Sequence, residues 1–145
     1  MSKRNSNITC TRKIEFDAAH RVKEHESKCK YLHGHRYVLE VTASAPKLDP
    51  LGRIIDFGLL KTKIKSWIDE NFDHTAILFD QDKELGEKIA SVTNQKIYYL
   101  PYNPTAENIA FYLKTNILPQ LFSDSEITIS KVKLYETPNC YVEIE

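Results

Sequence analysis

The stretch Cys29-Lys30-Tyr31-Leu32-His33-Gly34-His35 carries residue types on which metal chemistry depends. Side chains on an extended strand alternate between faces, so His33 and His35 project to one side with Cα atoms roughly 6.5 Å apart. Two imidazoles so placed suit one metal ion, and a catalytic zinc takes three protein ligands while keeping a fourth position open. His20, which closes the segment Ile14-Glu15-Phe16-Asp17-Ala18-Ala19-His20, is the preferred third ligand, on a strand antiparallel to the one bearing the pair. His25 competes, but it lies in the charged run Lys23-Glu24-His25-Glu26-Ser27-Lys28, which reads as a mobile solvated loop. Cys29 is either a reactive thiol beside the metal or a fourth ligand that closes the site. Gly34 leaves the opposite face of the strand open to close approach by backbone or ligand.

These residues need strands to hold them, and the apolar pattern supplies two. Ile8, Cys10, Ile14 and Phe16 alternate with polar residues, predicting a strand with one buried face. Tyr37, Leu39, Val41, Ala43 and Ala45 predict a longer strand that begins at the histidine pair. Residues 46–52 are rich in Pro, Asp and Gly and should turn the chain, with Arg53-Ile54-Ile55 running back along the sheet. Asp56 can cap a helix to about Phe72, whose stripe is Leu60, Ile64, Trp67, Ile68 and Phe72. That helix delivers Asp73-His74 just beyond its end, where the carboxylate would raise the basicity of the imidazole.

Farther on, Asp82 to about Val92 patterns as a short helix and 96–100 as a short strand stopped by Pro101. Thr105 is a natural N-cap for a second long helix with Ala106, Ile109, Ala110, Leu113, Ile117 and Leu121 on its apolar side, bent or ended near Pro119. Glu107 falls in its first turn, where the helix dipole favours a carboxylate. Residues 127–136 form a strand whose apolar parity shifts between Ile129 and Val132, predicting a bulge near Ser130. Glu136 ends that apolar run, where a carboxylate is costly unless something binds it. After a turn at 137–140, 141–145 is the last strand. The fold class is therefore α+β, an antiparallel sheet with two long helices packed on one face, and its bare edges favour oligomerisation.

The 145 residues suit a single domain over 1–145. Twenty Lys and Arg balance twenty Asp and Glu, so no overall field draws the chain onto nucleic acid or an anionic membrane. An anionic ligand would need a local patch such as Arg21, Lys28, Lys30 and Arg36. No stretch approaches the roughly 18 apolar residues of a membrane span, and the N-terminus lacks the apolar region of a secretion signal. Three cysteines, an odd count, argue for reduced thiols and a cytoplasmic protein. Four glycines cannot build a phosphate-cradling loop.

Phe16-Asp17-Ala18-Ala19-His20, Cys29-x-x-x-His33-Gly34-His35, Ile55-Asp56-Phe57, Asp73-His74, Asn103-Pro104-Thr105-Ala106-Glu107-Asn108 and Tyr135-Glu136-Thr137 together resemble the successive signatures of the 6-pyruvoyltetrahydropterin synthase superfamily. The three-residue gap between Cys29 and His33 resembles its 6-carboxytetrahydropterin synthase branch, the queuosine-pathway lyases. The resemblance implies the tunnelling fold, a homohexamer of two stacked trimers, and active sites at subunit interfaces. It implies zinc on His20, His33 and His35, Cys29 as proton-abstracting base, and Asp73 and His74 as a second proton relay. Glu136 would anchor the pterin, helped by Thr105 and Glu107. The implied substrate is 7,8-dihydroneopterin triphosphate, cleaved to 6-carboxy-5,6,7,8-tetrahydropterin with loss of acetaldehyde and triphosphate. The alternatives are the pyruvoyl-forming synthase and a non-catalytic zinc module with Cys29 as ligand. The chain departs from the family pattern in lacking the asparagine often found soon after Asp-His, and its 79–100 segment is longer than in the shortest family members.

Overall fold

A computed structural model describes residues 8–145, so the reading of the first residues as lacking a secretion signal falls outside it. Strands β1 (Cys10–His20) and β2 (His33–Ser44) pair antiparallel over their full common length, with Phe16 opposite Tyr37 and His20 opposite His33. Residues directly opposite share a face. Ile14, Phe16 and Ala18 thus join Tyr37, Leu39, Val41 and Ala43 in one buried apolar surface. Ile8 is exposed and precedes β1, while the strand runs on to His20 itself.

Asp56 caps α1 (Phe57–Asn71), its carboxylate accepting the Leu59 N–H at 3.1 Å. Leu60, Ile64 and Ile68 are wholly buried, each contributing about 1.5–3 kcal/mol. Residues 53–55 do not return along the sheet. The Asp49 carboxylate takes the N–H groups of Leu51 and Arg53, both at 2.9 Å, and the Asp49 N–H donates to the Arg53 carbonyl at 2.7 Å. Backbone groups satisfied inside this turn are not offered to a neighbouring strand, and the chain bends directly into the helix cap.

The sheet is also mixed where a wholly antiparallel one was expected. Strand β3 (Thr75–Phe79) lies parallel to β1, and β4 (Ile97–Leu100) lies parallel to β3. Helix α2 (Lys83–Thr93) makes the crossover between β3 and β4, and Gly86 meets the Tyr99 ring where a Cβ would have no room. The second long helix is interrupted: α3 (Ala106–Tyr112) and α4 (Leu118–Leu121) are joined by a π turn over Leu113–Ile117. Pro119 has no N–H to continue the ladder, which accounts for the widened turn just before it.

Strand β5 (Thr128–Thr137) pairs with β2 through the expected bulge, Lys131 facing Thr42 and Ile129 facing Ala43 with Ser130 left over. Strand β6 (Cys140–Ile144) completes the order β4-β3-β1-β2-β5-β6, with α1, α3 and α4 covering one face. Edges β4 and β6 have no second partner within the described residues. The loop after His20 is tethered: Val22 N–H donates to the Cys29 carbonyl at 2.8 Å and Lys23 N–H to Asn103 Oδ1 at 2.9 Å. Among the described residues, no helix is long and apolar enough to cross a membrane.

Candidate metal and acid–base site

Register decides which histidines meet. Because β1 and β2 are antiparallel, His20 faces His33 and Ala18 faces His35, so three imidazoles gather on the helix-covered face at the open end of the sheet. Their ligating atoms all lie within 4.8 Å of one another, a cluster that could hold a metal ion. Neither His25 nor Cys29 belongs to it. His25 instead accepts the Ser27 N–H at 2.9 Å.

Hydrogen bonds fix which nitrogens face inward. His20 Nδ1 donates to the Pro104 carbonyl at 2.7 Å and His33 Nδ1 to the Tyr31 carbonyl at 2.6 Å, leaving each Nε2 lone pair free. His20 Nε2 and His35 Nε2 are buried without a partner. A cation supplies what those atoms lack, so the residues fit a bound metal. Burial, with smaller contributions from the nearby His33 and His35 and against the pull of the Pro104 carbonyl, lowers the His20 pKa to about 4. His35 is lowered as well, first by burial. Both are therefore neutral near pH 7, the form that ligates.

A cavity of about 340 Å³ opens beside this cluster, lined by His20, Cys29, Thr105, Glu107, Glu136 and Tyr141 among others. Cys29 reaches it from a single 3₁₀ turn, Lys28–Lys30, and is half-buried and free. The Thr105 hydroxyl accepts the Asn108 N–H at 3.1 Å and caps α3, with Glu107 exposed in the first turn. The Glu136 oxygens stand 3.8 Å from His20 Nε2 and 3.7 Å from His35 Nε2.

Asp73 and His74 lie elsewhere. They bond to one another at 2.8 Å, and His74 lines a second cavity of about 450 Å³ with Asp17, Ala19, Gly34 and Arg36. Asp17, Ala19, Gly34 and Arg36 have the opposite strand parity to the histidines, so the side chains they contribute belong to the other face of β1 and β2, with Ala18 and His35 also bordering the cavity. The bond from Asp73 is the main cause of a raised His74 pKa. Burial works against the Asp73 carboxylate, but the Asp17 N–H at 3.0 Å and His74 outweigh it and hold its pKa low. A Cβ on Gly34 would meet only the Ala18 carbonyl at 3.5 Å, ordinary contact, so close approach within the chain is not what the glycine serves.

Several contributors escaped the sequence reading. Pro104 and Tyr31 act through backbone carbonyls, which no side-chain pattern reports. Arg21 is bound to the buried Asp82 at 2.6 Å and Arg36 to Asp17 at 2.8 Å, which takes two cations out of the expected anionic-ligand patch. Tyr37 is wholly buried at the floor of the site, and the alternation that joins His33 to His35 also puts it there.

A site of this kind, a three-imidazole cluster with a thiol and a carboxylate opening onto one cavity, equips a protein for metal-assisted acid–base chemistry on a small molecule. The family model for 6-pyruvoyl tetrahydropterin synthase matches residues 9–145, and the chain belongs to that family. The 6-carboxy-5,6,7,8-tetrahydropterin synthase of Rickettsia bellii is 58% identical over 137 residues, covering 94% of this chain and 99% of that one. The protein of the same description from Haemophilus influenzae is 34% identical, covering 93% and 96%. Among solved structures, the 6-pyruvoyl tetrahydropterin synthase of Caenorhabditis elegans superposes with a TM-score of 0.63 at 25% identity, covering 95% and 94%. An uncharacterized protein of Wolinella succinogenes, at 20% identity, shares the fold with a TM-score of 0.72 over 94% and 97%.

Proposed function

We propose that this chain is a zinc-dependent 6-carboxy-5,6,7,8-tetrahydropterin synthase, a lyase of queuosine-type 7-deazapurine synthesis acting in the cytoplasm. Its substrate is 7,8-dihydroneopterin triphosphate and its co-products are acetaldehyde and triphosphate. The observation that carries this reading is identity of 58% to a relative of that description across 94% of the chain. The three-histidine cluster beside Cys29 is the chemistry such a reaction needs.

His20, His33 and His35 hold the ion, which supplies Lewis-acid polarisation of the substrate's side-chain hydroxyls. Cys29, on the wall of the same cavity, takes the proton from carbon. Glu136 accepts hydrogen bonds from the guanidine-like edge of the pterin, with Thr105 and Glu107 beside it. Asp73 and His74 serve as the second proton relay. Within one chain the sheet separates them from Cys29, so the reading requires a neighbouring copy to bring its Asp73 and His74 to this cavity. Bare edges β4 and β6 support such an assembly, which we take to be a hexamer of two trimers, with residues 1–145 as one catalytic domain.

Chromatography of the products from zinc-loaded protein and 7,8-dihydroneopterin triphosphate tests the function. The carboxy product with acetaldehyde is expected, and a pyruvoyl product overturns the assignment. Mixing inactive Cys29→Ala protein with inactive His74→Ala protein, then exchanging subunits, should restore activity if each site draws on two copies. Permanent inactivity of the mixture refutes the shared site.

A further inference from the structure

Among the described residues, three buried side-chain polar atoms lack any hydrogen-bond partner: His20 Nε2, His35 Nε2 and Tyr37 Oη. The first two are answered by a metal ion. The third is not, because a phenol hydroxyl in this setting needs an acceptor. Tyr37 is 0% exposed, stacks on Phe16 with ring centroids 5.0 Å apart, and meets His20 and His35 edge-on at 6.0 and 5.6 Å. A phenylalanine would keep all of that packing. The hydroxyl alone is the anomaly, since an unpaired buried polar group costs free energy.

Its counterpart stands beside the same histidines. Among the described residues the Glu136 carboxylate has no hydrogen-bond donor, for its contacts with His20 and His35 at 3.8 and 3.7 Å are beyond hydrogen-bond length. The carboxylate is carried near the end of β5 and is partly exposed, so it is free to turn. A lone donor and a lone acceptor thus lie against the same two imidazoles, Tyr37 through its ring and Glu136 through its carboxylate. We propose that Tyr37 is a positioning residue for Glu136: once a cation fills the imidazole cluster, its hydroxyl donates to one carboxylate oxygen and fixes the orientation of the group. The remaining lone pairs then face the cavity in a set plane, which planar bidentate recognition of a guanidine-like edge requires. The role of Glu136 toward pterin rests on the function proposed above, whereas the Tyr37–Glu136 pair does not.

Four zinc-loaded proteins test this: unaltered, Tyr37→Phe, Glu136→Ala and the double variant. Tyr37→Phe should keep full zinc content and raise the unfolding midpoint of metal-free protein, because it removes an unpaired hydroxyl. It should weaken binding of 7,8-dihydroneopterin, the substrate without its triphosphate, by roughly tenfold, the worth of one hydrogen bond to a charged group. In the Glu136→Ala background it should have no further effect. Unchanged affinity in Tyr37→Phe, or the same loss in both backgrounds, overturns the pairing. If unaltered protein does not bind dihydroneopterin, the functional reading fails, and the same four proteins are compared by unfolding midpoint with zinc bound. Non-additive midpoints there support the pair, and additive ones overturn it.

Discussion

Replacing Cys29 by alanine separates a catalyst from a closed metal site. The change deletes one sulfur from a half-buried position and leaves its backbone untouched, so Val22 N–H still finds the Cys29 carbonyl and Tyr31 N–H still finds Lys28. Such a loss should alter folding stability by about 1 kcal/mol or less. The metal should stay as well, since the three imidazoles gather without the thiol and two of them are oriented by the carbonyls of Pro104 and Tyr31. Turnover should fall by about 10²- to 10⁴-fold, the usual cost of a lost general base, equivalent to about 2.7–5.5 kcal/mol of barrier. Zinc content, unfolding midpoint and turnover of dihydroneopterin triphosphate are measured on one preparation. A variant that loses its zinc shows Cys29 to be a ligand, and one that keeps both zinc and full turnover refutes any chemical role for the thiol.

Removing a ligand gives the complementary result: His33→Ala should lose stoichiometric zinc while His25→Ala retains it, and metal analysis showing full zinc in His33→Ala contradicts the cluster. Asp73→Asn should lower the His74 pKa toward its ordinary value, because the bond to Asp73 is the main cause of the rise; an NMR titration of the His74 ring that does not move refutes it. Metal-free protein should lose stability on acidification. The His20 pKa is depressed to about 4 from an ordinary 6.5, so the unfolded chain takes up the proton first. The stability is intact above about pH 6.5 and falls by roughly 3 kcal/mol as the pH drops toward 4. Denaturant melts across that window should be flatter for His20→Asn, and identical slopes would exclude His20 as the cause.

Much of the molecule was legible because one face of an element was wet and the other dry. Alternation exposed β1 and β2, the stripe from Leu60 to Phe72 exposed α1, and the parity shift around Ser130 exposed the bulge. Those patterns record which side each residue turns to water. Strand β3 left no such mark, because Thr75 through Leu78 are all buried and a segment covered on both faces has no period of two. Residues 53–55 misled for a related reason: apolar side chains suggested a strand, while Asp49 had already satisfied the nearby backbone inside a turn. At the site, residue types and spacing were enough to nominate His20, His33, His35, Cys29 and Glu136. Only pairing of β1 with β2 could decide that His20 joins the cluster and His25 does not, because ligation depends on atoms meeting within a few ångströms. The same pleat that unites the histidines on one face puts Asp73 and His74 with the other, a separation no linear order of residues contains.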